Sequence, residues 1–190
     1  NVGQLMLRNI KLTIEYDGTL FCGWQVQETR KGNPKRSTIK SRRTVQGEIE
    51  RALKIIYKKN IVLQGSGRTD SGVHARGQAA NFKTSSMMPL SEIQSALNAN
   101  LPEDISIIDV EEVSPGFHAQ YSARSKTYRY TILNRNSRCS LERSTCLYYP
   151  YKLNLAAMRR ESQSLIGRMD FRSFTASDPS KAKRGKNDNT

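Results

Sequence analysis

The sequence predicts an α+β fold, a sandwich of ferredoxin-like type. Three observations carry this. Residues 8–16 alternate, with Ile10, Leu12, Ile14 and Tyr16 on one face and Lys11, Thr13 and Glu15 on the other. That is a strand with one buried face. Val45, Ile49, Ala52, Leu53 and Ile56 recur at helical spacing and make one apolar stripe. Over residues 1–113 the elements run β, basic loop, α, β, β, α, β, without the long crossovers of a parallel doubly wound sheet.

After the first strand, Asp17-Gly18 signals a turn. The lone tryptophan, Trp24, reads as core rather than as a stacking surface. Residues 28–43 then change composition: seven are basic and only Glu28 is acidic. Gly32, Asn33 and Pro34 break regular structure there, so the stretch reads as a long basic loop. A solvated charge run and a phosphate-contacting loop weigh about equally. In the second case Lys35, Arg36, Arg42 and Arg43 are the contacts.

Thr44 is the predicted N-cap of the helix that runs to residue 57, and Lys58-Lys59-Asn60 ends it. A strand over 61–64, a glycine-rich loop over 65–76 and a strand over 77–82 follow. Ser91 is the predicted N-cap of a second helix, with Ile93, Ala96 and Leu97 inward and Pro102 preventing continuation. Ile105 to Val113 is the next strand. The second half, 114–190, shows a strand over Thr127–Leu133, with Tyr128, Tyr130 and Ile132 on one face. A helix capped by Asn154 reaches about Ile166, with Leu155, Met158, Leu165 and Ile166 inward and Gly167 at its stop. One helix on so few strands buries its apolar face poorly. Either the first half supplies the rest of the sheet, or the second half is incomplete.

The composition narrows the function. Thirty-one Lys and Arg against seventeen Asp and Glu leave +14, with a pI near 10.0. Such a charge suits a polyanion, nucleic acid first. No run approaches the length that spans a bilayer, and the N-terminal residues lack a basic n-region with an apolar h-region. No membrane partner is expected, and the location expected is cytoplasmic. Cys22, Cys139 and Cys146 are odd in number and form no C-x-x-C, as free thiols in a reducing compartment do. With only His74 and His118 available, no metal site is expected.

The chemical centre is Gly65-Ser66-Gly67-Arg68-Thr69-Asp70-Ser71-Gly72-Val73-His74-Ala75. Its glycines mark a backbone that bends sharply or approaches another group closely, with one guanidinium and one carboxylate inside the bend. Read alone, Asp70 is a turn former whose side chain bonds nearby N–H groups. The dinucleotide and triphosphate loop patterns fail here. Asp70-Ser71-Gly72 matches the D-[ST]-G triplet of aspartic proteases, but those enzymes share a proton between two carboxylates. With one copy, a homodimer would have to supply the second.

The string GSGRTDSGVHARGQAANF resembles the tRNA pseudouridine synthase A family. The resemblance extends in order along the chain: Glu15-Tyr16-Asp17-Gly18 with Gly23-Trp24-Gln25, Thr44-Val45-Gln46-Gly47, and Leu97-Asn98-Ala99-Asn100-Leu101-Pro102. It continues through Phe117-His118-Ala119, Tyr128-Arg129-Tyr130 and Asp170-Phe171. It implies a pseudouridine synthase fold of two ferredoxin-like halves sharing a mainly antiparallel sheet, and isomerisation of uridine to pseudouridine in the tRNA anticodon stem-loop. It implies no metal or organic cofactor, and a homodimer gripping tRNA.

By the same resemblance, Asp70 is the catalytic aspartate, Arg68 its pairing and base-displacing arginine, and Tyr128 the tyrosine that stacks on the target base. Thr69 and His74 fall within the matched string and join Arg68 and Tyr128 as expected substrate contacts. Three roles stay open to Asp70: attack on the sugar, attack on the base, or removal of a ribose proton. Two departures from the family pattern stand out. Gln120 replaces an arginine, and the 28–43 loop is longer and more basic. The resemblance also implies further strands and a second active-site arginine past Thr190, so the second half is expected to be truncated. A non-catalytic RNA-binding fragment is therefore the alternative reading.

Overall fold

The computed structural model describes residues 7–25 and 43–172. The chain divides into two compact units, Asn1–Thr131 with Ser144–Cys146, and Ile132–Arg143 with Leu147–Thr190.

The first unit is built on one four-stranded antiparallel sheet in the order β2-β3-β1-β4. Its strands are β1 (Arg8–Tyr16), β2 (Gln64–Gly65), β3 (Ala75–Thr84) and β4 (Ile105–Val113). Central β1 alternates as its sequence requires: Ile10, Leu12, Ile14 and Tyr16 are buried, and they set the register against β3 and β4. Helix α1 (Val45–Tyr57) starts where Thr44 accepts from the Gly47 amide at 3.2 Å, and it buries Val45, Ile49, Ala52 and Leu53. Helix α2 (Leu90–Asn100) buries Ile93 and Leu97. These side chains form one core with β1, Phe82 and Ile107, and each buried Leu, Ile or Phe stabilises by about 1.5–3 kcal/mol.

Two buried asparagines organise part of this unit. Asn81 Nδ2 donates to Asn9 Oδ1 at 2.9 Å, and Asn9 Nδ2 donates to the Ser114 and Phe117 carbonyls. The Ala119 amide donates to Asn81 Oδ1 at 2.8 Å. The Phe117-His118-Ala119 stretch is thus fastened by side chains that complete each other's hydrogen bonds.

Several expectations need correction. The second helix begins at Leu90, and Pro89, not Ser91, is its N-cap. The Ile93 amide already reaches the Pro89 carbonyl at 3.0 Å, so the first helical turn closes two residues earlier. The strand expected over 61–64 is only Gln64–Gly65. The strand expected from Thr127 is only β5 (Ile132–Leu133). Tyr128 and Tyr130 are 80% and 77% exposed, and no strand in the described residues pairs with that segment. A period-two pattern becomes a strand only where a neighbour takes up its hydrogen bonds.

The second unit holds the parallel pair β5 and β6 (Leu147–Tyr148) and helix α3 (Leu155–Gln163). Asn154 caps α3 by accepting from the Ala157 amide at 3.0 Å. Leu155, Met158, Leu165 and Ile166, expected inward, are exposed. The helix ends at Gln163, short of the expected limit.

Candidate active site

The loop between β2 and β3 lies against the segment that follows β1. The Ser66 amide donates to the Ala79 carbonyl at 2.8 Å, and Gln78 Nε2 donates to the Gly67 carbonyl at 2.7 Å. Thr69 is tied twice: its hydroxyl shares a 2.8 Å hydrogen bond with Tyr16 Oη, and its carbonyl accepts from the Trp24 amide at 3.0 Å. The Phe21 carbonyl accepts from the Gly72 amide at 3.3 Å and from Ser71 Oγ at 3.1 Å. Gly23 makes the approach possible. Its φ is +91°, and a Cβ there would stand 2.5 Å from the Thr69 carbonyl oxygen.

Asp70 therefore sits between two anchored neighbours while its own side chain is exposed. Arg68 is exposed as well, and no ion pair within 4.0 Å joins the two among the described residues. The loop presents a carboxylate and a guanidinium to solvent from a backbone that secondary contacts hold still. Such an arrangement lowers the ordering cost when a ligand arrives.

His74, expected as a substrate contact, also makes contacts within the protein. Its Nδ1 stands 3.2 Å from the Gly18 amide and 3.0 Å from Asp17 Oδ1, and its Nε2 stands 2.8 Å from the Ser144 carbonyl. The Nε2-protonated tautomer donates to the Ser144 carbonyl and accepts from the Gly18 amide. Both ring nitrogens thus serve the fold. Asp17 itself accepts from the Thr19 hydroxyl at 2.6 Å and the Thr19 amide at 2.9 Å. Those bonds, the hydroxyl's first, hold its carboxyl below the ordinary value of 3.8.

Arg43, expected as an RNA contact, likewise makes contacts within the protein. Its Nη1 and Nη2 donate to Asp104 at 2.5 and 2.8 Å, its Nε donates to Glu48 at 3.2 Å, and the guanidinium lies 4.3 Å over the Phe21 ring. A planar fork satisfied on two carboxylates and one aromatic face has little left for phosphate. Lys35, Arg36 and Arg42 lie outside the described residues.

The structure brings Arg68, Thr69, Asp70 and His74 into one loop, and leaves Tyr128 exposed in a segment without regular structure. Sequence reasoning missed Tyr16 and Gln78 as supports of the loop. Tyr16 carried only its strand pattern, and a hydroxyl reaching residue 69 leaves no local signal. Trp24 is core, as expected, and no disulfide joins any of the three cysteines.

Fold and loop together define an α+β protein that displays one carboxylate on a fixed glycine-rich turn. A family model described as tRNA pseudouridine synthase matches residues 12–122. A second, described as an uncharacterized protein conserved in bacteria, matches residues 69–177. The chain is 50% identical to the tRNA pseudouridine synthase A of Caldicellulosiruptor bescii over 172 residues, 90% of this chain and 66% of the relative. It is 45% identical to tRNA pseudouridine synthase A 2 of Clostridium perfringens, over 88% of this chain and 64% of the relative. Against the tRNA pseudouridine synthase A of a Geobacillus strain it is 44% identical, over 89% and 64%. The chain belongs to the tRNA pseudouridine synthase family, and it spans just under two thirds of the length of these curated relatives.

Proposed function

We propose that the protein isomerises uridine to pseudouridine in tRNA, in the anticodon stem-loop, with Asp70 as the catalytic carboxylate. One observation supports this most: Asp70 stands exposed, with no ion pair among the described residues, between Thr69 and Ser71, both of which are fastened to the segment after β1. In the reaction the glycosidic bond from N1 to the anomeric carbon breaks, the uracil turns, and C5 bonds the anomeric carbon while C5 loses its proton and N1 gains one. Atoms and electrons balance within the nucleotide, so no redox cofactor is called for.

A base in a helical stem must leave the stack before it is attacked. Arg68, which holds no carboxylate among the described residues, is suited to occupy the vacated space and to hold a phosphate or the Asp70 carboxylate in a planar fork. An ionised Asp70 is what either nucleophilic attack or proton removal requires. Tyr128 offers an exposed ring on which the flipped uracil stacks. The order β-α-β-β-α-β with the sheet order β2-β3-β1-β4 supports a ferredoxin-like first half over 1–113, with 114–190 as the second. A tRNA held between two copies in the cytoplasm, with Lys35, Arg36 and Arg42 on its phosphates, completes the reading. No helix in the described residues is long and apolar enough to cross a membrane.

The test is to map pseudouridine in an unmodified tRNA transcript after incubation with the protein. New pseudouridine in the anticodon stem-loop supports the reading. A transcript that is bound but unchanged overturns it.

A further inference from the structure

Lys126 lies two residues before Tyr128, and its ammonium is seated over Gly67. A Cβ on that glycine would stand 2.5 Å from Nζ and 3.3 Å from Cε. The Gly67 carbonyl is itself fixed by Gln78 at 2.7 Å. The ammonium thus rests on the immobilised backbone that leads directly into Arg68, Thr69 and Asp70. Elsewhere in the unit, Arg8, Lys11 and Arg43 each hold a carboxylate. Among the described residues none comes within 4.0 Å of Lys126. A cation placed beside the loop without a counter-charge suits an anion that the ligand brings. In RNA that anion is the phosphodiester.

We propose that Lys126 is a further substrate-binding residue: from its seat over Gly67 it contacts a phosphodiester of the strand that delivers the target uridine to Asp70. The inference rests on the tRNA reading above. It gives Gly67 a role besides bending the chain, because hydrogen is the one substituent that leaves room for the ammonium. Gly67 has no positive φ, so an alanine there displaces the end of a flexible side chain and strains no backbone.

The experiment measures tRNA affinity against salt, and pseudouridine yield, for the wild-type protein and for Lys126→Gln, Lys126→Arg, Gly67→Ala and the Lys126→Gln/Gly67→Ala double variant. Lys126→Gln is expected to weaken binding alike across tRNA sequences and to reduce the slope of log K against log salt by about one. Lys126→Arg restores the slope. Gly67→Ala weakens binding, and the double variant is no weaker than Lys126→Gln alone. Wild-type affinity and slope in Lys126→Gln overturn the proposal, and so does a double variant in which the two losses add. A wild-type protein that shows the Lys126-dependent slope but makes no pseudouridine overturns the reaction and leaves the phosphate contact standing.

Discussion

The Tyr16 hydroxyl and the Thr69 hydroxyl share a hydrogen bond of 2.8 Å, which joins the end of β1 to the residue before Asp70. Tyr16→Phe removes that bond and is expected to cost about 1 kcal/mol in a denaturant titration. Burial pushes the Tyr16 hydroxyl above its ordinary value of 10.0, against a smaller opposing pull from Thr69. The neutral form is the one the fold favours. The wild-type protein therefore keeps this contribution below pH 10.0 and loses it as pH rises through the higher folded value, whereas Tyr16→Phe lacks that alkaline loss.

Gly23 is the second support of the loop. Alanine at its φ of +91° costs about 1–3 kcal/mol in backbone strain, and its Cβ would overlap the Thr69 carbonyl. Gly23→Ala is expected to lower the melting temperature and to loosen residues 69–72, read as faster amide exchange at Gly72. Unchanged exchange at Gly72 would contradict the clamp.

Arg43 separates structural from RNA-binding charge. Its carboxylate partners are partly exposed, so Arg43→Gln is expected to cost only about 1 kcal/mol of stability. The slope of log K for tRNA against log salt should stay at the wild-type value. A slope reduced by about one would return Arg43 to the phosphate contacts.

Acid tests the turn after β1. The Asp17 carboxyl, held below 3.8 chiefly by the Thr19 hydroxyl, stabilises the fold fully above that pH, and the contribution is lost as pH falls through the lower folded value. Thr19→Ala is expected to be about 0.5–1 kcal/mol less stable at neutral pH. Urea titrations at falling pH check this: the gap between wild type and variant narrows below pH 3.8. A gap that widens toward acid would contradict the assignment.

Most of the first unit was legible in the sequence, and the reason is local. The alternation of Ile10, Leu12 and Ile14, the Thr44 cap and the Ile93 and Leu97 spacing are each decided by neighbours a few residues away. The loop was legible as a bend carrying Arg68 and Asp70. What fixes it was not, because Tyr16, Trp24 and Gln78 act through contacts that sequence spacing does not record. The Arg43–Asp104 contact was hidden for the same reason, since the two residues lie 61 positions apart. The segment around Tyr128 shows the opposite failure. Its alternation is plain, but the described residues supply no partner strand, and its aromatic rings remain exposed.

Asp70→Asn removes the charge on which the proposed reaction depends. The side chain is exposed and bonds no neighbour among the described residues, so the amide keeps the shape and the fold while removing the charge. Pseudouridine yield and tRNA affinity are measured together on the same transcript. Pseudouridine is expected to be lost and affinity retained. Pseudouridine formed at the wild-type rate by Asp70→Asn would contradict the proposed role of Asp70.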